Sequence, residues 1–420
     1  MTRRAPRATQ ILVVLALINL VSYAARNALF AVYPDLILRY GIDYAEIGFL
    51  QTVYMVPHAI ATLPFGWAGD RYDRRRVIVL GVLITSVAGA AGALTTSYEG
   101  LALSRAAVGF GTAAVVPIAN SILGQLFDGA NKASRMAIFN LGLFFGGVVG
   151  VGTGMVLGFP SVVVALAAPG IVLALILVRL PVPVHSEPSA ASSLTQGLAI
   201  STKKFFGDAR VLLQIRTLRW VIASTTVMAF AAGGLGAWFL EFLEREKGLS
   251  KGQASTLFSL ALVGGLLGVL AGGRISDRLR ASGPAGRLWT VVLGISLTAP
   301  SAAVAILAPP GAGLYVAGVA TMFFISWYHA PVAATVDDLA PARRSVAAQG
   351  LVIFTMHMIG TAPSSWVIGY VSKHSSLTDA MWVPTVALVV AAVCMAVATR
   401  TFAVDASRAR AGRTDAELAL

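Results

Sequence analysis

The chain has 420 residues, 57% hydrophobic and only 12% charged, with a net charge of +13. A soluble chain of this length carries about twice that charged fraction, and the mean hydropathy of +0.77 excludes an ordinary water-soluble enzyme or binding domain. Apolar runs long enough to cross a bilayer recur from end to end, and without strand-like alternation they imply helices rather than a barrel.

In chain order, the opening MTRRAPRATQILVVLALINLVSYAARN sets basic residues before an apolar stretch, as a secretory leader does. The stretch is too long for a leader and many spans follow, so it reads as a retained first helix. The apolar runs give twelve spans, at about 10–33, 46–69, 77–96, 100–127, 134–158, 160–180, 218–242, 252–275, 287–307, 312–336, 345–371 and 379–402. The expected fold is an all-α membrane protein with twelve transmembrane helices in two pseudo-symmetric six-helix bundles. The halves occupy 1–180 and 218–402, with a cytoplasmic linker over 181–217 and a cytoplasmic tail over 403–420. The linker opens Pro/Ser-rich (LPVPVHSEPSAASS) and continues LTQGLAISTKKFFGDARVLLQIR, a basic amphipathic stretch suited to an anionic leaflet.

With the N-terminus in the cytoplasm, 25 of the 32 Lys/Arg residues fall on the cytoplasmic side. Five lie outside (Arg39, Arg245, Lys247, Lys251 and Lys373), and two, Arg26 and Arg105, lie within spans. That asymmetry orients the protein with both termini cytoplasmic. It accounts for the basic character without a polyanion, so no nucleic-acid partner is expected. The expected location is the plasma membrane, the inner membrane in a bacterium, and the expected state is a monomer. The one cysteine, Cys394, cannot form an intrachain disulfide. No H-E-x-x-H, G-x-S-x-G, phosphate-cradling loop or metal-spaced Cys/His set appears, so no enzyme activity, cofactor or metal is expected.

The halves echo one another. Span 2 ends FGWAGDRYDRRR and span 8 ends AGGRISDRLRAS, with Asp70 and Asp277 207 residues apart, almost half the chain. Such duplication places a transporter's substrate site near the midplane at the repeat interface. Two glycine ridges run at four-residue spacing: Gly142, Gly146, Gly150, Gly154 and Gly158 in span 5, and Gly264, Gly268 and Gly272 in span 8. Small residues so spaced let helices approach closely.

GWAGDRYDRRR resembles the loop 2–3 signature of the major facilitator superfamily, roughly G-x-x-x-D-R-x-G-R-R, with Asp73 where the family usually has Gly. The resemblance implies the major facilitator fold and alternating access. It also implies a cytoplasmic latch in which Asp70 meets the helix start at PARRSVAAQG, with Arg71, Arg74, Asp277 and Arg278 as further gating candidates. Because spans 5 and 8 face each other across the halves in that superfamily, the two ridges are expected to form a moving interface. SYAARNALFAVYPDL, GIDYAEIGFLQTVYMVPHAIATLPFGWAGDRYDRRR, LALSRAAVGFGTAA, GGLGAWFLEFLEREKGLS and RRSVAAQGLVIFTMHMIGTAPSSWVIGYVS resemble the Spinster-type branch. That branch is linked to lysophospholipid and sphingolipid movement. Three of its acidic positions differ here: Ala25 before the span 1 arginine, Thr112 in span 4 and Thr361 in span 11.

Arg26 lies roughly 12 Å below the outer end of span 1, and Arg105 enters span 4 from the same side by roughly 10 Å. A guanidinium in hydrocarbon costs at least several kcal/mol unless something compensates it. With no acid at those depths, a substrate phosphate or carboxylate is the expected partner. A structural role for either arginine, bonded to carbonyls, stays open. Tyr23, Asn27, Tyr54, His58, Thr112, Trp238, Trp327, Tyr328 and Trp366 complete the candidate binding set; mid-depth aromatics suit an amphipathic ligand, though each equally suits packing. His357, at the branch's span 11 position, and His329 are the proton-coupling candidates.

The function expected is secondary transport of an amphipathic anion, a lysophospholipid or related lipid, with the proton as a candidate coupling ion. The alternatives are a small organic-anion or drug efflux transporter and, in another class, a non-transporting sensor or partner protein built on a transporter fold.

Overall fold

A computed structural model describes residues 4–127, 132–182, 194–341 and 344–418, entirely as helices and short connections. Side chains at some of these positions, Asp70 and Arg71 among them, fall outside the description. Eleven described stretches are long and apolar enough to cross a membrane. They are span 1 (Ala8–Tyr40), span 3 (Arg74–Gly92), span 4 (Tyr98–Leu123), span 5 (Ile138–Leu157), span 6 (Ser161–Arg179), span 7 (Arg216–Arg245), span 8 (Lys251–Ser282), span 9 (Gly286–Leu307), span 10 (Ala312–Leu339), span 11 (Ala347–His374) and span 12 (Leu377–Ala409). Span 2, the 28-residue helix Tyr44–Arg71, completes the twelve.

The chain divides into two compact units, Met1–Thr202 and Lys203–Leu420, each with its own apolar core. Their construction repeats. Span 2 opens in a capping box made by Asp43 and Glu46, and span 8 opens in one made by Ser250 and Gln253. A cap side chain that takes up an orphan N–H is worth about 1 kcal/mol. The two caps are 207 residues apart, the same offset as Asp70 and Asp277. In each unit a tyrosine at the start of a later span then donates to the cap region: Tyr98 Oη to the Glu46 carbonyl at 2.9 Å, and Tyr315 Oη to the Gln253 carbonyl at 3.2 Å.

Glycines set the helix spacing inside each unit, and here the structure corrects the expectation of a moving surface. The span 5 ridge lies against span 1 of its own half. A Cβ at Gly142 would stand 2.8 Å from the Leu20 amide nitrogen, one at Gly146 2.5 Å from the Leu20 carbonyl oxygen, and one at Gly154 2.8 Å from the Ala28 carbonyl oxygen. The span 8 ridge lies against span 10, with Gly264 under Val319, Gly268 under the Phe323 carbonyl and Gly272 under Trp327. Both stripes are therefore filled by a partner helix of the same half, as close backbone approach requires. Four-residue spacing shows that a helix packs there but not which helix.

The loop after span 2 also gains a physical reason for its unusual residue. Asp73 is the N-cap of span 3, accepting from the Arg75 amide at 3.0 Å and pairing with the Arg75 guanidinium at 3.0 Å. Its side chain supplies a cap that a glycine there cannot. Two other segments are more ordered than their sequence suggests. The helix Leu194–Leu212 ends with Ala209 and Leu212 in the core of the second unit, and Asp208 pairs with Arg344 at 2.9 Å. The helix Trp382–Leu418 runs through the stretch expected to be a tail, and Asp405 accepts from the Thr217 amide at 2.8 Å, capping span 7.

Candidate functional site

The candidate residues of the first half converge on Tyr54. Its ring is 2% exposed, held in the middle of span 2 where Gly109 of span 4 brings the two backbones into contact. The Arg26 guanidinium carbon lies 5.6 Å from the ring centroid and that of Arg105 lies 4.9 Å from it. Each guanidinium gains about 0.5–2 kcal/mol from such a contact, depending on how dry it is. That offsets only part of the cost of burial, and two like charges on one ring repel.

The phenol belongs to a polar chain. Tyr54 Oη and Thr112 Oγ1 are 3.0 Å apart, and Thr112 Oγ1 donates to the Gly109 carbonyl at 2.9 Å. His58 Nδ1 lies 3.0 Å from Thr112 Oγ1 and 3.3 Å from the Gly109 carbonyl, and its ring stacks on Tyr54 with centroids 5.9 Å apart. A carbonyl only accepts, so the proton of His58 sits on Nδ1. Thr112 thus takes hydrogen bonds from both neighbours while giving one to the helix. No charge is available there for the arginines.

Arg105 is 4% exposed, and its Nε and Nη2 have no hydrogen-bond partner among the described residues. Arg26 is half-buried. Among the described residues the ion pairs join Asp73 to Arg75 and Arg76, Glu241 to Arg245, Asp338 to Arg287, and Asp208 to Arg344; none reaches Arg26 or Arg105. Nearby, Asn27 turns its amide back to the Tyr23 carbonyl at 2.8 Å, and half-buried Tyr23 packs against Gly146.

In the second half the candidates are dispersed. Trp238 is fully buried, its Nε1 donating to the Ser365 carbonyl at 2.9 Å. Trp327 is wedged against Gly272 and Gly294 and touches the rings of Phe323 and Phe324. Tyr328 and His329 lie ring to ring at 4.0 Å, and Trp366 is 43% exposed. The described gating residues are scattered as well. Arg74 is buried and donates to the Gly69 carbonyl at 3.1 Å, while Asp277 and Arg278 are exposed. The Asp70 and Arg71 side chains, with Ala342 and Arg343 at the proposed latch, lie outside the described residues.

Helix geometry supplies a signal that sequence reasoning missed. Span 1 changes from α to 3₁₀ at Ala28–Val32, directly after Arg26 and Asn27. In span 4 one α-helix ends at Thr112 and the next begins at Val115. Span 10 is 3₁₀ over Ser326–Tyr328, and span 11 is a π-helix over Met356–Thr361, the turn that carries His357 and Thr361. Interruptions of this kind mark hinges and functional sites, and in transporters broken helices carry the binding groups. A proline follows each break within three residues (Pro34, Pro117, Pro331 and Pro363) and removes a backbone donor from the next turn, a signal that the sequence carries.

Twelve crossing helices in two repeated units, with two intramembrane arginines that no described carboxylate pairs and one of them, Arg26, beside a helix break, define a membrane transport protein. The chain belongs to the Major Facilitator Superfamily, whose sequence profile matches residues 15–281 and 221–417. Its curated relatives include protein spinster homolog 3 of Danio rerio, 28% identical over 398 residues and covering 88% of this chain and 78% of that protein. The sphingosine-1-phosphate transporter SPNS2 of Danio rerio is 25% identical over 408 residues, covering 87% and 76%. Among solved structures, an inward-facing, unoccupied bacterial homolog of the human lysosomal transporter Spinster superposes with a TM-score of 0.79 at 21% identity, over 95% of this chain and 98% of that one. The family's fold implies secondary transport by alternating access, and the Spinster-like resemblance read from the sequence agrees with these relatives.

Proposed function

We propose that the protein moves an amphipathic anion, a lysophospholipid or related lipid, and that Arg26 meets its anionic head. The observation that carries this reading is the pair of guanidinium groups on Tyr54, to which no described carboxylate is joined. A phosphate or carboxylate accepts two parallel N–H bonds from a guanidinium, so cargo would supply the charge that the helices withhold. Arg26, half-buried beside a helix break, is the better placed of the two for a ligand that comes and goes; Arg105 adds positive field behind the ring. The Spinster relatives, one of them named for sphingosine-1-phosphate, support the lipid class.

In this reading Tyr23, Asn27, His58 and Thr112 shape the head-group side, and the half-buried or exposed aromatics Tyr328 and Trp366 are open to an apolar body. His357 and His329 are the coupling candidates, since imidazole titrates near neutral pH. The protein works as a monomer with both termini in the cytoplasm of a plasma-type membrane, the Asp70 loop closes the cytoplasmic gate, and no catalytic role is assigned.

The test is uptake into liposomes of a panel of lysolipids and small organic anions, with and without a pH gradient. Lysolipid uptake that responds to the gradient is the expected result. Uptake of small anions alone would move the protein to the efflux class, and none at all would favour a sensor that keeps the fold. If the wild type ignores pH, and His357→Gln behaves identically, proton coupling through His357 is wrong.

A further inference from the structure

The helix Leu194–Leu212, ahead of span 7, takes no part in the arginine site. From Lys203 onward its side chains divide between two faces. One is spent inside the second half: Ala209 and Leu212 enter the core, the Phe205 ring meets the edge of the Phe354 ring at 5.4 Å, and Asp208 pairs with Arg344. Phe354 lies in span 11, and Arg344 is the N-cap of its first helix. The other face carries Lys203, Phe206, Gly207 and Arg210, and Leu213 in the turn that continues the helix. At about 100° per residue these five positions form a single stripe, with Lys204 at its edge.

Phe206 is 62% exposed and Leu213 41%, and Lys203, Lys204 and Arg210 are exposed around them. The one acid between Lys203 and Leu213, Asp208, is turned to Arg344, so the stripe is purely cationic. Its level follows from span 7. There Arg216 and Arg219 are exposed and Trp220 is half-buried beside them, the pattern of cations and aromatics at a membrane boundary. Leu213 is three residues before Arg216, and three residues of chain reach about 10 Å at most. The end of the helix therefore stands where lipid headgroups stand. Basic and apolar residues along one exposed face are what holds a helix on an anionic leaflet. The sequence alone does not separate Phe205, which packs inward, from Phe206, which does not.

We propose that this stripe docks on the anionic phospholipid headgroups of the adjoining leaflet, the cytoplasmic one in the orientation proposed above. Lys203, Lys204 and Arg210 meet the phosphates, while Phe206 and Leu213 enter the boundary between headgroups and acyl chains. The opposite face grips span 11 through Phe354 and Arg344. Docking thus fixes the start of the helix whose π turn carries His357.

The experiment places a reporter on the stripe. A Cβ at Gly207 meets nothing within 4 Å, so Gly207→Cys in a Cys394→Ser background accepts a bimane label between Lys203 and Arg210 while leaving the charged and apolar residues in place. The full-length labelled protein is put into nanodiscs of phosphatidylcholine with or without phosphatidylglycerol, no cargo is added, and quenching by acrylamide, an uncharged quencher, is measured. In the anionic discs acrylamide should quench the label less than half as efficiently as in the zwitterionic ones. Salt at about 1 M, which shortens the reach of the charges to about 3 Å, should remove the difference. The combined Lys203→Gln, Lys204→Gln and Arg210→Gln variant should show none at low salt. If that variant does not fold, the salt reversal decides. Equal quenching in both lipids would overturn the proposal, as would a difference that survives the salt or the triple substitution. None of these readings uses transport, so failure here leaves the cargo assignment standing, and failure of lysolipid uptake leaves the docking surface standing.

Discussion

The two halves solve one packing problem with the same parts and then diverge in chemistry. Gly109 of span 4 lets span 2 in against the Tyr54 carbonyl; Gly268 of span 8 lets span 10 in against the Phe323 carbonyl. Span 4 breaks at Thr112–Val115 and span 10 at Ser326–Tyr328. Around the first contact stand Arg26, Arg105, His58 and Thr112. Around the second stand Phe323, Phe324 and Trp327, and the same half carries an apolar pocket lined by Phe239, Phe242, Phe258, Leu262, Met322 and Ile325 among others. The same pair of helices is thus brought together in each half, by a glycine on span 4 in the first and by one on the counterpart of span 2 in the second, while the side chains around the contact are cationic in the first and apolar in the second.

The harshest way to break the shared part is to fill the glycine contacts. A Cβ at either Gly109 or Gly268 would lie inside van der Waals contact with a carbonyl oxygen, and backbone cannot step aside as a side chain can. Gly109→Leu and Gly268→Leu should abolish the monodisperse peak in fluorescence-detected size exclusion. The corresponding alanines should cost about 1–3 kcal/mol or more, as overpacking does. Gly152→Ala and Gly273→Ala, where a Cβ meets nothing within 4 Å, should elute like the wild type. Equal damage at all four positions would remove the close-contact account of the halves.

Next in size is a test of where the chemistry resides. Arg26→Ala should reduce lysolipid transport at least 10-fold, as expected for loss of a charge-assisted contact worth about 1.5–3 kcal/mol, with elution and Tm little changed. Arg26→Lys should recover part of the rate, because a point charge replaces a planar fork. Trp238→Phe, in the second half, should do the opposite. It frees the Ser365 carbonyl and should lower stability by about 1–2 kcal/mol while leaving the apparent cargo affinity alone. A Trp238→Phe protein with normal Tm and weakened cargo binding would return that residue to the binding set and blur the contrast between the halves.

How much of this was legible in the sequence follows from the range of each interaction. The spans, the division into halves and the duplication are written in hydropathy and in the 207-residue offset, because bilayer thickness imposes length directly. Arg26 and Arg105 stand out because charge in an apolar run is rare and costly. What could not be read is which face of a helix meets which neighbour. The ridges at Gly142–Gly154 and Gly264–Gly272 announce close packing, but the partners, spans 1 and 10, depend on tertiary arrangement. The convergence of both arginines on Tyr54 was equally hidden, since residues 26, 54 and 105 meet only when three helices are placed together. The helix breaks are marked in the sequence by Pro34, Pro117, Pro331 and Pro363, each within three residues of one, but a proline does not say whether the turn before it is 3₁₀ or π.

The smallest expected effect separates the two loops that looked most alike. Asp70 and Asp277 sit in matching sequence contexts, yet the neighbouring helix starts differ in the folded chain. Span 3 begins on Asp73, whose carboxylate takes the Arg75 amide and lies near the positive end of the helix. Span 9 begins on Ala285, which has no side chain to cap with, and exposed Asp277 makes no described ion pair. Asp73→Ala should therefore lower stability by about 1 kcal/mol, a shift of one or two degrees in a protein this large. Asp277→Ala should leave Tm unmoved. Ala285→Ser should stabilise by a few tenths of a kcal/mol if its hydroxyl can reach the open amides, giving the second half the cap that the first already has. Should Asp73→Ala and Asp277→Ala shift Tm equally, the capping role of Asp73 would be lost, and its place in the loop would have to be explained through the gate instead.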